Sequence, residues 1–476
     1  PEYKILYSLV NEQQNELEID IHFGFKLIIR GGMELNQKTG ISKIFSLGLQ
    51  HVLAMYAGAI LVPIIVGNAL KFSPEQQAFL ISVDLLTCGL ATLLQSWASK
   101  WFGIGLPVVM GTSFVAVSPM ITIGTGYGIH AIYGAIIAAG LFIILFSKVY
   151  GKLLKLFPPV VTGTVVMIIG LSLIPTGINN MGGGQGSKDF GSPENLLLSF
   201  GVLALILIMN RFFKGFLRAI SVLLGIIAGT IAATVMGKVD FTVVAEASWF
   251  RVPAPFYFGM PAFHIVPVIT MIIVGTVILV ESTGAFLALG EMTDRKLTGK
   301  DITNGYRAEG ISFILGGIFN AFPYSTFSQN VGLVQLAGIK TKKITIAAGI
   351  ILICLGVLPK IAALATIIPT AVFGGATVVM FGMVVSSGIR MLRNVDFSEN
   401  SNLLIIACSV SLGLGATVVP DLFHVLPPML RILVNDGIIC GSLCAIILNL
   451  LLPKKDRVRA PSDIPVRVVD PALKEG

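Results

Sequence analysis

The chain has 476 residues, 54% of them hydrophobic and 12% charged, with a formal net charge of +8. An ordinary soluble domain carries about 25% charged residues. With a mean hydropathy of +0.87 and 52 glycines, the composition excludes disorder, a coiled coil and a typical cytosolic enzyme. Apolar stretches that run continuously rather than alternating with polar residues also exclude a transmembrane β-barrel, which leaves an all-α polytopic membrane protein.

Residues 1–40 read as an N-terminal cytoplasmic tail. The first 32 are mixed and charged without a signal-peptide pattern. Met33, followed by the polar lead from Glu34 to Lys43, is expected to be the natural start, with a genuine longer tail as the alternative. Fourteen apolar segments follow, near 45–66, 77–95, 107–123, 129–147, 159–178, 195–210, 217–236, 265–290, 306–321, 324–338, 344–362, 366–389, 402–419 and 431–452. Several approach the ~20 residues a helix needs to cross ~30 Å of hydrocarbon. The third and tenth are short and interrupted by glycine or proline. From Lys454 to Gly476 a basic, proline-containing C-terminal tail is expected near anionic lipid.

Charge tests the count. With both termini cytoplasmic, the inner loops and adjoining span ends hold 16 Lys and Arg, and the outer ones hold 6. That asymmetry is the positive-inside pattern, so the net charge reflects membrane topology and not a nucleic-acid partner. The five cysteines (Cys88, Cys354, Cys408, Cys440, Cys444) are scattered singles without a CxxC pair, and read as soft core packing.

The two halves, 41–240 and 265–453, repeat locally. Thr164-Val165-Val166-Met167 returns as Thr377-Val378-Val379-Met380, 213 positions on. Leu106-Pro107 leads to Ser113-Phe114-Val115 as Phe322-Pro323 leads to Gln329-Asn330-Val331, an offset of 216. Seven spans per half is an odd number, so the second half is expected to insert upside down. Two inverted seven-span repeats are an architecture of secondary transporters, with substrate near the midplane. Spans three and ten then break at a depth where irregular backbone must line a cavity or be buried in protein. Their half-helix N-termini would offer N–H groups there.

A charge at the bilayer centre costs about 2.5–3.5 kcal/mol on insertion scales, so each internal acid needs a reason. Glu281, mid-span in VILVESTGAF, is the leading candidate for proton coupling; the plainer reading is a carboxylate satisfied by neighbouring hydroxyls. Glu309, a turn into span nine, is a second candidate, with an interfacial acid as the alternative. Asp84 in span two is a third candidate for proton coupling or site organisation, with capping backbone or bracing span one as the alternative. His51 in span one either organises the site or is a hydrogen-bonded core histidine. Gln329 and Asn330 stand at the break in span ten, and an amide can pair in bidentate fashion with a planar heterocyclic amide. Phe114 can stack on a flat ring, and Ser113 can add a hydroxyl contact. Alternatively, these four serve the free backbone at two helix breaks. Their convergence suggests a small, flat, hydrogen-bonding ligand.

At these residues the chain resembles the nucleobase–ascorbate transporter family. Gln329-Asn330-Val331-Gly332 through Gly338 matches its signature, with Ala337 in place of the usual threonine. The similarity extends from about Ser42 to Pro453 through LQHVLAMYAGA, FPPVVTG, the span-eight glutamate and FPYSTFSQNVG, and is strongest toward bacterial xanthine and uric acid permeases. The resemblance implies a substrate-holding core of spans 1–4 and 8–11 and a gate of spans 5–7 and 12–14 that forms a homodimer contact. It further implies proton or cation symport by an elevator-like movement of core against gate, in the cell membrane. By matched position, Glu281 and Gln329 would bind the purine, Glu309 stands where relatives often have aspartate, and Asn330 is the signature asparagine. His51 would shape the site. Ser113 matches a position that varies between xanthine and urate carriers. Gln329 in place of the glutamate of uracil carriers favours an oxidised purine.

The expected function is therefore import of xanthine, uric acid or both by proton symport, with no cofactor beyond the coupling ion. Alternatives are a uracil carrier, a cation-coupled purine permease, or an anion carrier of the same fold. The last would want a cationic residue in the middle of spans one, three, eight or ten, where no Lys or Arg occurs. A membrane enzyme would need a metal or nucleophile constellation, and none is evident.

Overall fold

The computed structural model describes residues 40–153, 158–337, 340–393, 395–427, 431 and 434–452; within these, no side chain is described at 151–153, 328, 329, 335–337 or 420. The expected tails over 1–39 and from 453 onward lie outside the described residues. The chain divides into a short N-terminal unit, Pro1–Ile44, and a main body, Phe45–Gly476. Of the first, Gly40–Ile44 are described and begin the first helix.

In chain order the first half comprises α1 (Ile41–Ala69), α2 (Pro74–Ser96), β1 (Met110–Thr112), a 3-10 turn (Phe114–Ala116), α3 (Val117–Tyr127) and α4 (Ile129–Leu153). It continues with α5 (Pro159–Met181), α6 (Pro193–Phe212), α7 (Gly215–Ala219), α8 (Ser221–Val235) and α9 (Thr242–Glu246). The second half comprises α10 (Ile265–Met292), α11 (Gly299–Ile318), β2 (Tyr324–Thr326) and α12 (Ser328–Ala337). Then follow α13 (Lys342–Gly356), α14 (Pro359–Thr366), α15 (Thr370–Leu392), α16 (Asn400–Val418), a 3-10 turn (Pro420–Phe423) and α17 (Gly437–Leu451).

Local chemistry sets several of these boundaries. Ser73 and Gln76 form a reciprocal capping box at the start of α2, with Pro74 in the first turn. Thr298 and Asp301 do the same for α11. Asp436 caps α17 through the amides of Ile438 and Ile439, both at 3.0 Å. Asn320 follows α11 at φ 59°, where an asparagine tolerates the left-handed turn.

Eight described helices (α1, α2, α4, α5, α6, α10, α15, α16) are long and apolar enough to cross a membrane; counting α13–α14, bent by 79°, as one span makes nine. The fourteen segments expected from the sequence thus do not all emerge as single crossing helices. Pro107 and Pro323 precede strand where segments three and ten were expected to be broken helix. Phe213 and Lys214 separate α7 from the preceding span, and α8 has 15 residues. In α11, Lys300, Asp301, Arg307 and Glu309 lower the apolar character. The strand pair is a correction to the all-α expectation.

Packing in the main body is pairwise: α5 runs along α15, α4 along α11, α2 along α13, and α16 along α17. Large apolar side chains such as Leu197 and Phe200 on α6, Ile231 on α8 and Leu412 on α16 remain exposed. Hydrocarbon accepts such a surface as readily as a protein interior does.

Candidate functional site

Two short segments meet in the main body. Pro107 and Pro323 disfavour helix at the residues before them, and the following Val108-Val109-Met110 and Tyr324-Ser325-Thr326 favour extended backbone. β1 and β2 pair antiparallel, with Met110 opposite Thr326, Gly111 opposite Ser325 and Thr112 opposite Tyr324. Main-chain bonds from Ser113 N to the Pro323 carbonyl (3.0 Å) and from Phe327 N to the Val109 carbonyl (2.9 Å) extend the ladder at both ends. Met110 and Thr326 stand 216 positions apart, the offset that relates Pro107 to Pro323. Phe327 lies beside Gly58 of α1 and Gly111 of β1; a Cβ on Gly111 would come within 2.5 Å of its ring. That close approach is the reason for glycine in the middle of a strand.

Around this crossing the polar side chains fall into three groups. On α2, Asp84 is fully buried and accepts the Thr112 hydroxyl at 2.7 Å on Oδ2 and the Tyr324 hydroxyl at 2.9 Å on Oδ1. The Thr87 hydroxyl also bonds the Tyr324 hydroxyl, and the Cys88 thiol is 3.9 Å from Asp84 Oδ2. On α10 and α11, Ser282 Oγ accepts the Thr326 amide at 3.0 Å. Glu309 is fully buried beside Ser282 and within electrostatic reach of Glu281, yet neither carboxylate oxygen has a hydrogen-bond partner of good geometry among the described residues. Glu281 is half-buried.

On α1 and α12, the Asn330 amide donates from Nδ2 to the His51 carbonyl at 3.2 Å, while Asn330 Oδ1 and His51 Nδ1 are buried without partners among the described residues. Ser113 caps the 3-10 turn by accepting the Val115 amide at 3.3 Å. Phe114 meets Phe381 of α15 edge to face, with ring centroids 6.0 Å apart.

The sequence-derived residues are thus distributed as follows. Asp84, Glu281, Glu309, Ser113, Phe114, His51 and Asn330 all lie on elements that converge on the β1–β2 crossing. Asp84 braces the strand pair and makes no side-chain bond to span one among the described residues. His51 meets Asn330 through its main chain. Gln329 lies in the first turn of α12, three residues after the Thr326 amide bonded to Ser282, but its side chain lies outside the described residues. Tyr324, Thr112 and Ser282 were missed. A hydroxyl or phenol in a run such as FPYSTF is an ordinary apolar-segment residue until the buried acid it faces is known. A separate cavity of about 490 Å³ opens at the start of α2, bounded by Glu75, Phe79, Ser82, Glu246 and Arg251; none of the crossing residues lines it.

Three comparisons bear on what this arrangement belongs to. The Permease family model matches residues 42–422. A uric acid permease of Bacillus subtilis is 60% identical over 432 residues, covering 89% of this chain and 96% of the relative. A xanthine permease of the same organism is 56% identical over 414 residues, covering 87% and 94%. Among solved structures, the transmembrane domain of a cyanobacterium bicarbonate transporter superposes with a TM-score of 0.59 at 15% identity, covering 86% of this chain and 98% of that one. This last likeness speaks to fold alone.

Proposed function

The chain belongs to the nucleobase–ascorbate transporter family, carriers and not enzymes, and from that membership we propose that it moves an oxidised purine, xanthine or uric acid, across the membrane by secondary active transport. The observation that carries this reading is a set of buried polar atoms, on elements that meet at the crossing, without a hydrogen bond of good geometry among the described residues: both Glu309 oxygens, Asn330 Oδ1 and His51 Nδ1. Buried polar groups without partners are costly, and a flat heterocycle rich in N–H and C=O groups supplies complements to them. Glu281 and the Gln329 amide are the direct purine contacts in this proposal, with Phe114 stacking on the ring. Ser113, already a cap through its Oγ, would lie at the edge of the site.

Proton symport is proposed on the same footing. Glu281 and Glu309 are neighbouring acids inside the bilayer region, and a carboxyl that accepts a proton with the purine and releases it on the other side couples the two flows. Antiparallel pairing that sets Met110 against its counterpart 216 positions on supports two inverted seven-span halves. The exchange of partners, α2 with α13 and α4 with α11, supports the same symmetry. The core and gate division, the elevator movement, cytoplasmic termini and a homodimer through the gate complete the proposal. The two least buried spans, α6 and α16, both lie in that gate.

An anion carrier of the same fold is the second reading, favoured by the bicarbonate transporter likeness. Three acids at the crossing, Asp84, Glu281 and Glu309, and no Lys or Arg in the hydrogen bonds described there oppose it. The test is uptake of labelled xanthine into cells lacking their own purine carriers, competed by urate, uracil, hypoxanthine and bicarbonate, with and without a protonophore. Uptake should be competed by urate, indifferent to bicarbonate and collapsed by the protonophore. Glu281→Gln should abolish accumulation, and Gln329→Glu should weaken xanthine uptake. Wild-type accumulation in Glu281→Gln would remove that acid from the mechanism.

A further inference from the structure

The crossing contains one acid whose position suits it to neither cargo nor solvent. Asp84 is fully buried, and both its oxygens are already engaged by hydroxyls. Those hydroxyls belong to Thr112 and Tyr324, which face each other as the last register pair of the ladder. One carboxylate therefore holds the ends of both broken segments at once. Each strand has three residues, and a two-stranded ribbon is marginal by itself, so bonds outside the ladder decide whether the register holds. The same phenol hydroxyl also bonds Thr87, a turn along α2 from Asp84.

We propose that Asp84 is a positioning residue that clamps the Thr112–Tyr324 pair and thereby sets the register of the two broken segments on which the cargo contacts stand. It acts on cargo only through that register: Ser113 follows Thr112 directly, and Gln329 and Asn330 lie in the first turn of the helix after β2. Removing either hydroxyl loosens the ladder end. Removing the carboxylate releases both.

The extension to cargo rests on the purine reading, so the test has one readout with cargo and one without. Purified full-length protein is compared with Asp84→Asn, Tyr324→Phe, Thr112→Val, Thr112→Ser and Asp84→Asn combined with Tyr324→Phe. Without cargo, amide hydrogen exchange over residues 108–113 and 323–327 should quicken about tenfold in Tyr324→Phe and Thr112→Val, the loss expected for one hydrogen bond to a charged group. Thr112→Ser, which keeps the hydroxyl, should exchange like wild type. With xanthine as probe, Kd should rise about tenfold in Asp84→Asn, and adding Tyr324→Phe should raise it less than about twofold further, because both changes break one clamp.

Unchanged exchange in Tyr324→Phe and Thr112→Val overturns the clamp whatever the cargo. Faster exchange with wild-type xanthine affinity, or equal damage by Thr112→Ser and Thr112→Val, overturns the positioning role. Wild-type protein that binds no purine overturns the functional reading instead, and the exchange readout still decides the clamp.

Discussion

Two contacts in this protein join one half of the chain to the other by opposite means. Along α5 and α15 the joint is steric. Gly163, Gly170 and Gly177 recur every seventh residue on one helix, and Gly374 and Gly388 meet it from the other. A Cβ on Gly374 would stand 2.2 Å from the Met181 nitrogen, and one on Gly388 2.5 Å from that of Met167. Small residues that let backbones approach are the usual adhesive between helices in lipid, where no hydrophobic drive brings them together. At β1 and β2 the joint is chemical: a short ladder, an acid holding two hydroxyls, and several buried polar atoms without a well-formed hydrogen bond among the described residues. The first contact is complete by itself, whereas the second, in the function proposed above, is completed by cargo. Substitutions should accordingly remove the protein at the first and its activity at the second.

The hardest break is at the seam. Gly374→Val should cost more than the ~1–3 kcal/mol typical of overpacking, because backbone atoms, which cannot rotate away, occupy the space. The expected result is near-complete loss of monodisperse protein in detergent. Normal yield and melting temperature would contradict the steric description. A milder change sharpens the contrast. Gly111→Ala forces a methyl against the Phe327 ring, and should reduce purine uptake severalfold while the protein is still recovered in quantity. Equal losses of yield and uptake would erase the distinction between the two joints.

The smallest effect is expected far from both. Lys238 pairs with Glu194 at 2.8 Å and Asp189 at 3.7 Å in the corner between α5 and α6. Lys238→Met should cost under about 1 kcal/mol, as partly exposed pairs do. Hydrogen bonds from Asn195 hold Asp189 below the usual carboxylate range, and the bond to Glu194 holds Lys238 above the usual amine range. A depressed acid contributes fully above its unfolded value and fades as pH falls through its folded one. A raised amine contributes fully below its unfolded value and fades as pH rises through its folded one. Between about pH 6 and 8 neither changes, so the Lys238→Met deficit should be flat there. A melting-temperature difference that varies across that window would show that another titrating group controls the corner.

How much of this was legible in the residues divides along the same line. Both breaks were readable, because Pro107 and Pro323 interrupt apolar runs at matching distances from Ser113 and Gln329. Glu281, Glu309, His51 and Asn330 stood out as candidates, since ionisable and amide side chains are conspicuous against an apolar background; the structure sets the two acids beside each other and Asn330 against the His51 main chain. The strand pair was not readable, because three extended residues inside a hydrophobic segment have no periodicity to reveal them. Nor was the partner of Asp84: Tyr324 lies 240 positions away, and spacing along one helix cannot indicate a contact made across the repeat. The glycine seam was half visible. TVVM marked α5 and α15 as related, but not that they touch.

The most direct measurement is equilibrium binding of labelled xanthine to purified protein in which one acid at a time is neutralised. Glu281→Gln should weaken binding tenfold or more, the effect of about 1.5 kcal/mol or more expected for a lost charged hydrogen bond, whereas Glu75→Gln in the separate cavity at the start of α2 should leave it unchanged. Wild-type affinity in Glu281→Gln, or a loss confined to Glu75→Gln, would contradict the placement of cargo at the crossing of the two broken segments.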